Sequence, residues 1–301
     1  MTTILVTGSN GLIGKTLCKR LHEADYTVRA IDNALPSSQA DYGDITALDA
    51  IQQPLNDCHG IIHLAAVSRV IWGEQQPANC WCTNVLGTHA LLEFAYNSPC
   101  KPWLIQASSR EVYGQQSQFP VCESAPLQPL NTYAHTKVVA EKLVQYYQSR
   151  GLRAAILRFS SVYGRTDDHA DRVLPAFCRA AVSGKPLTIE GRQHTFDFTH
   201  VCDVVEGILQ TVIKLEQGQV LPPLHLTTGQ PISLGELAEL VCNTHKTRLP
   251  FIEAPPRNFD VAKFYGDPEL AGLLLGWRPS IDLTAGVATL LDDFSREPAT
   301  G

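Results

Sequence analysis

The chain has 301 residues, of which 44% are hydrophobic and 18% charged, and carries a formal net charge of −6. That composition excludes a disordered chain and leaves length for one large α/β domain or two lobes. The basic residues do not cluster, which argues against a nucleic-acid surface, and no apolar run is long enough to cross a membrane.

In chain order, Thr3–Thr7 reads as a β-strand and Leu12–Glu23 has the apolar spacing of a helix. Between them stands "TGSNGLIG", with Gly8, Gly11 and Gly14 in the turn and Asn10, Leu12 and Ile13 around them. Glycine is needed where a backbone turns sharply and where it must approach a pyrophosphate closely, and the helix that follows aims its first amides at that phosphate. The strand-turn-helix setting makes this three-glycine pattern strong evidence for a dinucleotide. Residues 26–31 read as a second strand, ended by Asp32 with Asn33 beside it. A carboxylate there accepts hydrogen bonds from ribose hydroxyls and repels a 2′-phosphate, which favours NAD over NADP. Asp44 and Ile45 follow a glycine and are candidates to meet the adenine.

Residues 60–64 read as a strand that ends in Leu64-Ala65-Ala66, small side chains suited to close approach of a flat cofactor. The nine cysteines include one close pair, Cys80 and Cys82, with no second pair or histidine at zinc spacing. They read as buried, reduced thiols of a cytosolic protein rather than as metal ligands. Residues 84–96 read as a helix, 103–107 as a strand, 133–150 as a long helix and 153–157 as a further strand. This alternation implies a doubly wound parallel sheet with right-handed crossovers. After about residue 164 proline, glycine and charge become frequent, and a smaller lobe over the carboxyl edge of the sheet is expected. Residues 200–217 and 225–227 are expected to return to the main sheet, so that 1–164 with segments near 200–228 make a cofactor domain interleaved with a mainly substrate-binding 165–301.

"NTYAHTKVVAE" places Tyr133 and Lys137 four residues apart, on one face of a helix. An ammonium beside a phenol stabilises the phenolate and draws its pKa down from about 10. Such a phenolate takes a proton from a sugar hydroxyl while hydride leaves the same carbon.

With these stretches the chain resembles the extended short-chain dehydrogenase/reductase superfamily, in its NAD-dependent nucleotide-sugar epimerase/dehydratase branch. "TGSNGLIG", "HLAA", "NVLGT", "SSREVYG", "YAHTK", "LRFSSVYG", "DFTHVCDVV" and "LGWRP" carry the resemblance over nearly the whole chain. It implies a Rossmann-type sheet with a smaller C-terminal substrate lobe, a nucleotide-diphosphate sugar as substrate and a homodimer built through two helices per subunit. It also implies that Ser109, Tyr133 and Lys137 are the catalytic trio, with Lys137 on the nicotinamide ribose and Ser108 as a supporting neighbour. Asn84 would hold helix and strand near the cofactor. Ser161 falls where relatives often carry an asparagine that touches the diphosphate.

Two departures stand out. Phe196 replaces an arginine that binds phosphate in relatives, which leaves Arg257, at the family's second phosphate position, with Arg172 and Arg192 as further candidates or as surface residues. Arg110-Glu111 replaces the acidic pair of 4,6-dehydratases. A guanidinium holds its proton too firmly to act as an acid, so dehydration by the usual pair is disfavoured. Arg110 pairs with Glu111, binds a sugar carboxylate or faces solvent. The expected activity is 4-epimerisation through a transient 4-keto sugar. Decarboxylation or dehydration using Glu111, a 4-ketoreductase and a non-catalytic sensor are the alternatives.

Overall fold

A computed structural model of the chain describes residues 2–47, 55–257 and 259–296. The strands are β1 Thr3–Thr7, β2 Thr27–Ile31, β3 Gly60–His63, β4 Trp103–Ser109, β5 Ala154–Phe159, β6 Ser161–Tyr163, β7 Leu187–Glu190, β8 Thr195–His200, β9 Leu224–Leu226, β10 Pro231–Ser233 and β11 Phe251–Ala254. The helices are α1 Leu12–Glu23, α2 Val70–Gln75, α3 Pro77–Trp81, α4 Thr88–Asn97, α5 Thr132–Ser149, α6 Val173–Val182, α7 Val201–Glu216, α8 Leu234–Thr244, α9 Glu269–Leu275 and α10 Leu283–Arg296.

Six strands form one parallel sheet in the order β2-β1-β3-β4-β5-β9. Its inner strands are apolar on both faces because both faces are covered by helices. Ile4, Val6, Ile62 and Ile105 point one way, onto Leu17 and Leu21 of α1 and Val204 and Ile208 of α7. The alternate residues Leu5, Ile61, Leu104 and Ile156 point the other way, onto Leu91 and Leu92 of α4 and Val144 of α5. The strand order reverses at β1, whose two neighbours are β2 and β3, so the crevice for a ligand opens above the carboxyl ends of β1 and β3.

After β5 the chain leaves this sheet, builds β6, α6, β7 and β8, and returns through α7 to place β9 beside β5. It leaves again for β10, α8 and β11. A second apolar cluster forms there from Leu174 and Phe177 of α6, Leu187 and Ile189 of β7, Leu237 and Val241 of α8, and Val287 and Leu290 of α10. β8 joins β10 and β6 in a separate three-stranded sheet, and β7 pairs with β11.

The helix expected over residues 84–96 is longer and less regular. Helical structure starts at Pro77, a favoured first residue, and passes through a π-helical stretch, Cys82–Gly87, before α4. β4 runs two residues past the expected end because Ser108 and Ser109 pair with Arg158 and Phe159 of β5. Beneath that end lies a buried polar network. Glu141, fully buried on α5, accepts from Ser108 Oγ at 2.5 Å and from Arg158 Nε and Nη2 at 2.9 and 2.6 Å. A buried ion pair is tolerable when its remaining hydrogen bonds are satisfied, and these fix the floor on which Ser109 and Lys137 stand.

Candidate active site

The cofactor end is built by the β1–α1 turn. Gly8 sits at φ +73°, a left-handed conformation that L side chains rarely adopt, and a Cβ added there would lie 2.6 Å from Ala65 N. A Cβ on Gly14 would lie 2.2 Å from Gly8 O, so helix and turn pack backbone to backbone. α1 starts at Leu12 with no side-chain cap and no acidic residue in its first turn. Its first amides are thus left to a ligand, as a pyrophosphate requires. Asp32 stands just past β2, its Oδ2 accepting from Asn10 N at 2.9 Å and its Oδ1 from Ala34 N at 2.8 Å. Asn33 Nδ2 donates to Asp44 Oδ2 at 3.2 Å, so these two form one small loop contact near Asp32. An uncapped helix start and a carboxylate at the strand end suit NAD.

Gly8, Gly11, Leu12, Ile13, Gly14, Leu64, Ala66, Ser108, Tyr133 and Lys137 line a single cleft of about 680 Å³, which continues over Ser109, Arg110, Glu111, Ser161, Arg172 and Arg257. Four expectations need correcting. Ile45 is buried against the Cβ position of Gly87, so its side chain is closed to an adenine. Ala65 packs its methyl on the core and gives the turn only its backbone. Asn84 is buried, donates to Val67 O and Thr136 Oγ1 at 3.1 and 3.0 Å and accepts from Val67 N at 2.8 Å. It therefore ties the loop after β3 to α5, the holding role expected of it, and only its place among the cofactor contacts falls away, since it does not line the cleft. Arg192 lies outside it, paired with Glu239 at 2.8 Å and Glu253 at 3.2 Å.

Tyr133 and Lys137 come from the first turns of α5, which Asn131 caps by accepting from Ala134 N at 2.8 Å. Lys137 Nζ donates to Ala107 O at 2.9 Å and lies 5.8 Å from the centre of the Tyr133 ring. Burial lowers the Lys137 pKa to about 8, against the opposing pull of Cys80 and Glu141. Burial also raises Tyr133 to about 12, with the Ser109 hydroxyl drawing it down. The expectation that lysine lowers the tyrosine pKa is thus not met in the protein alone. The ammonium is turned to a carbonyl rather than to the phenol, and desolvation wins.

At the sugar end, Ser109 Oγ caps the turn Arg110–Tyr113 by accepting from Glu111 N at 3.2 Å. Arg110 Nη2 stands 3.1 Å from Glu111 Oε1, and Glu111 Oε2 accepts from Asn131 Nδ2 at 3.2 Å. Of the three alternatives for Arg110, solvent exposure is removed, since its side chain is only 14% exposed. Elsewhere in the cleft lining Arg172 lies 3.4 Å from Asp168, while Arg257 lies 3.0 Å from Asp260 and 3.4 Å from Glu190.

Sequence reasoning missed Arg69, which lines the cleft and bonds Asp171 at 2.6 Å across it. It also missed Lys15, 2.7 Å from Asp167. Both acids lie in the charged loop between β6 and α6, and no sequence spacing joins them to partners more than 100 residues away. Asn131 carried a signal, a capping side chain just before a helical run.

The sequence profile of the NAD dependent epimerase/dehydratase family matches residues 4–221. A putative UDP-glucose 4-epimerase of Methanocaldococcus jannaschii is 29% identical over 303 aligned positions, covering 96% of this chain and 97% of that one. UDP-glucuronic acid decarboxylase 2 of Arabidopsis thaliana is 27% identical, over 97% of this chain and 68% of the relative. The crystal structure of the UDP-glucose 4-epimerase of Thermotoga maritima with UDP-glucose superposes with a TM-score of 0.89 at 26% identity, covering 97% and 98% of the two chains.

Proposed function

The chain belongs to the NAD-dependent epimerase/dehydratase family, and from that premise we propose that it is a nucleotide-sugar 4-epimerase with UDP-hexoses as the first substrates to test. When bound, NAD supplies the hydride acceptor and the positive charge that favours the phenolate. Tyr133 Oη takes the proton of the sugar 4-hydroxyl, and Ser109 Oγ steadies the same oxygen. Lys137, anchored on Ala107 O, holds a cation beneath them. The keto sugar turns within the cleft and presents its other face, and Tyr133 returns the proton. Arg172 and Arg257 are the cations proposed for the diphosphate.

The observation that carries this reading over elimination is the state of Glu111. Its carboxylate is bound on one side by Arg110 and on the other by Asn131, and no acid stands at position 110. Turnover of UDP-galactose to UDP-glucose in D2O is expected to give product without deuterium at C5, because only the C4 hydrogen moves. Glu111→Gln is expected to lower kcat by less than about 10-fold, since it removes no proton carrier. Deuterium at C5, release of carbon dioxide from UDP-glucuronate or a loss above about 10³-fold in Glu111→Gln would replace epimerisation with dehydration or decarboxylation.

We also infer a homodimer, formed through the helical run of α3 and α4 together with α5. Trp81, Leu86 and Tyr146 on these segments are 41%, 61% and 52% exposed, large apolar surfaces that a second copy would cover. Light scattering is expected to give twice the chain mass. Leu86→Glu with Tyr146→Glu is expected to give a folded monomer, and a wild-type monomer at micromolar concentration would overturn the inference. Nine cysteines without a disulfide fit a reducing, cytoplasmic setting, which is part of the same proposal.

A further inference from the structure

The cations of the cleft are not equivalent. Arg172 and Arg257 belong to the segments around the β6–α6 loop and after β11, each beside acidic side chains, as Arg110 is beside Glu111. Arg110 follows Ser109 directly and begins the turn that Ser109 caps. Its guanidinium carbon lies 4.2 Å from the centre of the Phe196 ring. The ring attracts the cation and offers no hydrogen-bond acceptor. One edge of the group is used on Glu111. The other terminal nitrogen, Nη1, is buried and has no partner; Arg69 and Arg172 also leave a buried nitrogen without a hydrogen bond, but there it is the inner Nε and not an end of the fork. A buried cationic donor without an acceptor is destabilising, and Glu111 takes Nη2 while Nη1 stays unpaired.

The chemistry of a pyranose decides what acceptor reaches this nitrogen. With the 4-oxygen at Ser109 and Tyr133, the diphosphate leaves from C1 on the far side of the ring. The carbon chain beyond C4 runs through C5 to C6, and C6 is the hexose carbon that bears a carboxylate in uronic acids. An anion beside the residue that follows Ser109 is therefore a C6 carboxylate rather than a phosphate. Glu111 is occupied by Arg110 Nη2 and Asn131, which leaves the Nη1 edge to the ligand.

Building on the 4-epimerase reading, we propose that Arg110, stacked on Phe196, is a specificity-determining residue that binds the C6 carboxylate, and that the substrate class is a nucleotide-diphosphate uronic acid.

The test compares kcat/KM for UDP-glucuronate and UDP-glucose in the NAD-loaded protein. Wild type is expected to prefer the uronate by about 10-fold or more, and Arg110→Gln to lower that ratio by about 30-fold, the scale of one charge-assisted hydrogen bond. Arg110→Lys, which keeps the charge and loses the fork, is expected to fall between them and guards against a variant that does not fold. UDP binding by calorimetry is expected to change by less than about 2-fold in Arg110→Gln, because a sugar contact leaves the diphosphate untouched. A wild-type preference for UDP-glucose, an unchanged ratio in both variants or a UDP affinity that falls in step with the uronate's would overturn the proposal. If neither sugar is turned over, the epimerase reading fails by itself. The dissociation constants of the two sugar nucleotides, measured on the same three proteins, then decide the role of Arg110 by the same ratio.

Discussion

Tyr133→Phe is expected to lower kcat by about 10³-fold while the protein keeps its fold and its NAD, the range assigned to a positioned proton carrier. The ring is 7% exposed and packed at the start of α5, and phenylalanine fills the same volume. The loss is therefore one of chemistry and not of packing. The wild-type phenol begins near 12 because burial dominates. Its working pKa must be reached in the loaded site, where the positive charge of the oxidised cofactor and the hydroxyl of Ser109 act together on it. Ser109→Ala should be milder, about 10 to 100-fold, since it removes a hydrogen bond to the reacting oxygen and leaves the proton carrier in place. A coupled assay with UDP-galactose reads both variants, and NAD released by heat or acid shows that each is loaded. A Tyr133→Phe enzyme within 10-fold of wild type would remove Tyr133 from the mechanism.

The second large effect separates two glycines of one turn. Gly14→Ala places a methyl 2.2 Å from Gly8 O and 2.7 Å from Ser9 Cα, both backbone atoms that cannot swing aside. It is expected to destabilise the protein itself by about 3 kcal/mol or more, as overpacking of a rigid contact does, and to abolish NAD binding. Gly11→Ala meets only Gly8 O, at 3.4 Å, an ordinary contact. The cofactor-free protein should then unfold within about 1 kcal/mol of wild type. Its NAD affinity should nevertheless fall by about 10 to 100-fold, because the pyrophosphate must approach a backbone with no side chain in the way. Denaturant unfolding of cofactor-free protein together with NAD titration separates the two. Equal NAD affinity in Gly11→Ala and wild type would move the phosphate site away from this turn.

The turn, Asp32 and the Tyr133–Lys137 pair were readable because each is local. A few consecutive residues fix the geometry, and a strand or helix period fixes which side chains share a face. Leu12–Glu23 was located to the residue for the same reason. The errors arose where tertiary contacts decide. Ile45 reads as a turn residue after a glycine, yet Gly87, more than 40 positions later, leaves the hole that its side chain fills. Arg192 reads as a spare cation until α8 and β11 bring Glu239 and Glu253 to it. Asn84 holds strand end and helix together as its position implies, but the π-helical stretch turns it onto Val67 and Thr136 and away from the cleft. Arg110 was legible as a departure, and its meaning came only with Phe196 from β8 on its open face.

The loop between β6 and α6 reaches over the cleft and is held there by Lys15–Asp167 and Arg69–Asp171. Three of these four side chains are at least 35% exposed, so dissolved ions weaken the links without touching the sheet or the buried Tyr133 and Lys137. Release of the dinucleotide is then expected to quicken as ionic strength rises, which NAD retention measured in low and high salt would show. In a redox-neutral cycle the hydride taken from a sugar goes back to it, so a cofactor that stays bound serves many turnovers without fresh oxidant.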